Sequence, residues 1–221
     1  MGRSAPRGAK KTAGQLPPRM VATVEIGIAG ALGAVCGGHL VPRRVAARLL
    51  TAVAFAAVVA VRGLDEGLLL ELPLAAALVA LAAIDVEQRR LPNRVVYPLA
   101  AWGAVAAILL RDGALAERLA AAAAAFVLLL VPALARPGSI GMGDVKLAGT
   151  MGLYLGPGVA PALAVAFLGG AVAGAGMALR GSATARKKTI PFGPFLALGG
   201  LVALLAGPEL IELYEEAFMT G

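Results

Sequence analysis

The sequence predicts an all-α fold, a polytopic transmembrane helix bundle of about eight spans. Three observations predict it. Of the 221 residues, 59% are hydrophobic and only 15% charged, with a mean hydropathy of +0.84; soluble domains run at about half apolar and a quarter charged. The excess is blocky, with long charge-poor runs alternating with short clusters of Arg, Lys and Asp. A span needs ~20 apolar residues, or ~17 at the short end, so residues 20–208 have room for about eight. Such a composition excludes a secreted disulfide scaffold, a disordered chain and a typical nucleic-acid binder.

Residues 1–20, MGRSAPRGAKKTAGQLPPRM, are basic, rich in Pro and Gly and without hydrophobic periodicity, and read as a disordered tail. The apolar run from Val21 to Val41 is long for a signal-peptide core, and CGGHLVP is a poor cleavage site, so it reads as the first span. Further spans follow at 46–61, 67–84, 95–110, 119–135, 145–156, 159–179 and 192–207, the sixth being short. Residues 21–207 thus form one membrane-embedded domain, and 208–221 a short acidic tail with Glu209, Glu212, Glu215 and Glu216. Small residues recur four apart at Gly33/Gly37, Gly152/Gly156 and Gly170/Gly174, a spacing that lets helices approach closely in lipid. The single cysteine, Cys36, forms no intrachain disulfide or thiolate zinc cluster, and the single His39 is no metal site by itself. Both read as helix-packing residues, and neither a metal nor another cofactor is expected.

The net charge of +7 reports orientation before it reports a partner. The loops after the first, third, fifth and seventh spans hold Arg43, Arg44, Arg48, Arg89, Arg90, Arg94, Arg136, Lys146, Arg180, Arg186, Lys187 and Lys188. The alternate loops hold only Arg62, Arg111 and Arg118. Twelve against three places the odd loops in the cytoplasm and both termini outside. The five basic residues of the N-terminal tail run against this count, and four loops outvote one tail.

Ionisable groups at membrane depth are costly and point to function. Glu25 and Glu71 lie near span ends, where an interfacial position accounts for them. Asp85 ends the run GLLLELPLAAALVALAAI, and Asp144 closes the loop PGSIGMGD just before VKLAGTMGLYLG. On the orientation above both lie at the cytoplasmic membrane surface. Two carboxylates at one depth on neighbouring spans are the parts of an aspartic protease dyad, in which like charges cannot both ionise readily and the pair shares a proton. Gly141 and Gly143 give a backbone that a substrate can approach. Pro92 stops any helix begun at Asp85 and returns the chain to the membrane, and Lys146 anchors its span end by snorkelling.

Asp85 with RRLPN after it, then GMGDVKLAGTMGLYLG, resembles the type IV prepilin peptidases, the GxGD membrane aspartic proteases of bacterial pilus and type II secretion systems. IPFGPFLALGG near residues 190–200 resembles the start of their last span, so that the likeness covers roughly 22–207. The resemblance implies cleavage of prepilin or pseudopilin leaders at the cytoplasmic face of the bacterial inner membrane. Asp85 and Asp144 then carry over as the catalytic pair, with Gly141, Gly143, Lys146, Pro92 and Asn93 around them. The implied partners are a substrate with a basic leader and the lipid bilayer, with no nucleic acid. Long-form members carry a cytoplasmic insert with paired CxxC motifs, associated with zinc and N-methylation. Here HLVPRRVAARLLTAVAF passes from span to span without it, so no methyltransferase activity is expected. The competing readings are a small ion- or proton-coupled transporter and an inactive scaffold of a secretion or pilus assembly. Against the first, the acids sit at one interface and no inverted repeat is visible; against the second, both aspartates are intact.

Overall fold

A computed structural model describes residues 45–64, 67–110, 114–136, 140–179 and 191–219, together with Gly30, with side chains for all of these but Leu110 and 207–219. The tail at 1–20, Glu25, Cys36, His39 and the basic loop at 180–190 lie outside the described residues.

Within them the chain is all helix: α1 (Val45–Arg62), α2 (Leu68–Gln88), α3 (Asn93–Leu110), α4 (Leu115–Ala135), α5 (Met142–Leu155), a 3₁₀ turn at Gly156–Gly158, α6 (Val159–Leu179) and α7 (Gly193–Met219). By length and composition four stretches can cross a membrane: α1, α2, α4, and the 38 residues Met142–Leu179 that hold α5 and α6. The helix α3 and the first half of α7 are shorter apolar helices. Continuation of α7 to Met219 follows a break at Ala206, whose φ of −122° and ψ of 25° are not helical, just before Gly207-Pro208. The acidic segment after 207 is therefore helical in its backbone.

The most enclosed element is α2. Residues 74–81 are buried without interruption for two turns, as a helix surrounded on every side requires. Its neighbours are α1, α3 and α7, while α4 packs on α5 and α6 on α7. The core joins Leu74, Leu78 and Leu81 of α2 to Leu147 and Met151 of α5 and Leu196 and Leu204 of α7. Small residues set the helix spacing: a Cβ at Gly152 would meet the backbone of Ala121 and Ala122, so α5 lies directly against α4. The outer face is apolar instead of polar, with Leu49, Val53, Ile108, Leu128, Val131, Leu168 and Val172 all exposed. Water does not tolerate so much contiguous apolar surface, and lipid does. Buried Thr51 and Thr150 meet the opposite demand by bonding back to the carbonyls of Ala47 and Lys146.

Helix ends alternate between two faces of the bundle. On one, Arg62 pairs with Glu71 at 3.3 Å and donates to the Leu204 carbonyl. Glu71, read from sequence as an interfacial acid, is 15% exposed, and its ion pair accounts for the enclosure. On the same face Arg118 Nη1 donates to the Tyr154 carbonyl at 2.7 Å, satisfying one of the orphan carbonyls that end α5. Tyr154 in turn donates its hydroxyl to the Leu99 carbonyl of α3 at 2.6 Å. The other face holds the C-terminal end of α2 and the N-terminal ends of α3, α5 and α7.

Candidate active site

Asp85 lies in the last turn of α2. The helix ends abruptly four residues later, where Arg89 adopts a left-handed φ of 50° and its N–H caps the Asp85 carbonyl at 2.8 Å. Pro92 then accepts from the N–H groups of Val95 and Val96 and so opens α3 at Asn93. No helix begins at Asp85 for Pro92 to stop: the helix that holds Asp85 ends at Gln88 with Arg89 as its cap, and the proline instead starts the next one.

Asp144 is the third residue of α5, whose N-cap is Gly141. Its N–H donates to the Gly141 carbonyl at 3.0 Å, and its carboxylate accepts from the Gly141 N–H. This is half of a capping box, with the acid reaching back over the first turn, where the helix dipole favours negative charge. Asp85 and Asp144 are 5% and 9% exposed, and Asp144 lies within the electrostatic reach of Asp85. Two acids 59 residues apart in sequence are thus buried at the same face of an apolar bundle, close enough for their charges to interact.

The turns that carry them are keyed together. Leu91 of RRLPN is buried, and a Cβ on Gly143 would lie 2.8 Å from its Cβ. A Cβ on Gly141 would lie 2.9 Å from Asp144 Oδ2. Both glycines expected to admit a substrate therefore also make room for the protein's own side chains.

Lys146 follows Asp144 by two residues, about 200° around the helix, and is drawn to α3. Its Nζ donates to Asn93 Oδ1 at 3.1 Å and to Tyr97 Oη at 2.9 Å, and it lies 5.0 Å from the Tyr97 ring centre. Lys146 and Asn93 thus come together, beside the dyad's turns but on another face of α5. Below them a groove of about 390 Å³ runs between α3, α4 and α5, lined by Tyr97, Phe126, Lys146, Gly149 and Thr150 among others.

One contact was not anticipated. The Gly193 N–H, at the first residue of α7, donates to Asp85 Oδ2 at 3.0 Å in a buried hydrogen bond. The segment IPFGP stood out in the sequence, but nothing in it pairs residue 193 with residue 85. Among the described residues no three His, Cys, Asp or Glu side chains gather as metal ligands.

The model of the type IV leader peptidase family matches residues 72–179, which include both aspartates. The prepilin leader peptidase/N-methyltransferase of Bacillus subtilis is 34% identical over 187 residues, spanning 81% of this chain and 72% of that protein. Proteins of the same name from Aeromonas hydrophila and Xanthomonas campestris are each 32% identical, over 83% and 62% of this chain. The chain spans 65% and 50% of their respective lengths. No solved structure matches the chain significantly.

Proposed function

The chain belongs to the type IV leader peptidase family, and from that premise we propose that it is a membrane aspartic endopeptidase that removes the leaders of type IV prepilin-like proteins. The observation that carries the proposal is the placement of Asp85 and Asp144, both buried and within electrostatic reach of one another, at one face of an apolar bundle. A transporter reading has no comparable support among the relatives.

In the reaction one carboxylate, ionised, takes a proton from water as the water oxygen attacks the scissile carbonyl. Its protonated partner donates to the carbonyl oxygen, giving a neutral tetrahedral diol. Collapse re-forms the carbonyl, breaks the C–N bond and passes a proton to the departing amine, leaving the pair again with one proton. Burial among helices excludes bulk water and strengthens each of these contacts.

The dyad faces the cytoplasm in this proposal. Arg89, Arg90, Arg94, Arg136 and Lys146 lie at helix ends on its side, and Arg62 and Arg118 at the opposite one, which is the asymmetry of the positive-inside rule. A basic leader is held on that side for the same reason, so the scissile bond waits where the carboxylates are. We place the protein in the bacterial inner membrane on that basis. The second activity in the relatives' names is not proposed for this chain, which has one cysteine and no CxxC pair. Co-expression with a prepilin tests the reading: Asp85→Asn and Asp144→Asn should each leave the prepilin uncut while the protein still reaches the membrane.

A further inference from the structure

We propose that Gly193 is a positioning residue for Asp85, its N–H setting the orientation of the carboxylate and its missing side chain leaving the room that the carboxylate occupies. The proposal rests on the aspartic-peptidase reading above and adds α7 to the site as a third element. The two aspartates differ in how they can be held. Asp144 sits in the first turn of its own helix, where free N–H groups are at hand, and takes one from Gly141. Asp85 sits in the last turn of α2, where its own helix offers only carbonyl oxygens and the negative end of the dipole. A carboxylate there needs a donor from outside. The start of α7 brings one: Phe192 caps that helix by accepting from Phe195 and Leu196, which leaves the Gly193 N–H without an intrahelical acceptor, and it meets Asp85 Oδ2 at 3.0 Å.

The space is as specific as the bond. A Cβ at 193 would stand 2.6 Å from Asp85 Oδ2 and 3.0 Å from both its Cβ and its Cγ. Aspartate has only two side-chain torsions, so it cannot step aside without turning its carboxyl group away. Gly193 lies beyond the residues 72–179 that the family model covers, and its contact with Asp85 joins positions 108 apart.

The test uses the full chain in lipid nanodiscs and a peptide with a basic leader, a glycine junction and an apolar stem. Gly193→Ala should lower kcat about 100-fold, the cost of displacing a reacting group by about 1 Å, with KM changed by less than about threefold. Gly200→Ala is the comparison: on the same helix its Cβ would press on Leu78 and Met151 and not on Asp85, so it should cost thermal stability and leave kcat of the folded protein intact. A second variant avoids added bulk. Glycolic acid installed at position 193 by cell-free translation replaces the N–H by an ester oxygen and should lower kcat about tenfold. Should either the alanine or the ester chain keep kcat within about threefold of wild type while Asp85→Asn is inactive, the positioning role is wrong and the dyad stands. An active Asp85→Asn would remove the dyad and this proposal with it.

Discussion

Asp85 and Asp144 meet the cost of burial by different means, one through α7 and the other through its own helix. Replacing either by asparagine preserves shape but removes the group to which the proposed reaction gives the role of base or acid. Each single variant should cut prepilin processing by about 10³-fold or more, and the double variant should be little worse, because residues that act as a unit do not add. An immunoblot that separates precursor from mature pilin reads this directly. Processing should also persist under zinc chelation and after thiol alkylation, since the reaction proposed uses neither a metal nor Cys36. Rapid loss of activity with a chelator would point to a metal-dependent step. The aspartates were legible in the sequence because an acid in an apolar run stands out against its neighbours. Gly193 was not, since a glycine between Phe192 and Pro194 looks the same whether or not a carboxylate rests on it. Lys146 was legible as a charge, but its partners, Asn93 and Tyr97, lie 53 and 49 residues away, and no local pattern names them.

Most described helices were legible to within a few residues. The exception is α7, which was expected to end at 207 and continues past the break at Ala206 to Met219. Two of the smaller discrepancies share a cause. The run expected at 119–135 begins at Leu115, and the one expected at 145–156 begins at Met142. In both, the first turn carries charge (Glu117 and Arg118, or Asp144), which lowers hydropathy without ending the helix. Acids are favoured in a first turn by the dipole, so a hydropathy window cuts away residues that the helix keeps. The small-residue spacing was read correctly at Gly152, where α5 lies against α4, but its partner Gly156 has a φ of 55° and ends the helix there. Gly152→Ala should therefore force the two helices apart and destabilise the protein by about 1–3 kcal/mol, the usual cost of overpacking. Thermal unfolding in detergent, compared with a Gly176→Ala variant whose Cβ would meet nothing within 4 Å, measures the difference. Equal losses from both would mean that the α4–α5 contact is not the one being strained.

For the whole molecule, orientation decides whether the site can meet a cytoplasmic leader. Single cysteines in a Cys36→Ser background test it at Arg90, exposed beside the dyad, and at Leu64, 62% exposed at the opposite end. An impermeant maleimide on intact cells stripped of their outer membrane should label position 64 at once and position 90 only after the inner membrane is opened. The reverse pattern would separate the dyad from any substrate with a cytoplasmic leader. A companion experiment concerns the product: pilin matured by this chain alone should carry an unmodified N-terminal amine by mass spectrometry, and a 14 Da increment (about one methylene) would reveal a second activity. The apolar exterior has a further thermodynamic consequence. Pulling these helices apart within the bilayer would move side chains from protein to hydrocarbon and expose little of either to water. The large positive heat-capacity change that bends the stability curves of soluble domains comes from hydrating apolar surface, and here most of its source is missing. Stability should accordingly fall almost in a straight line as temperature rises, and cooling should bring no return of unfolding.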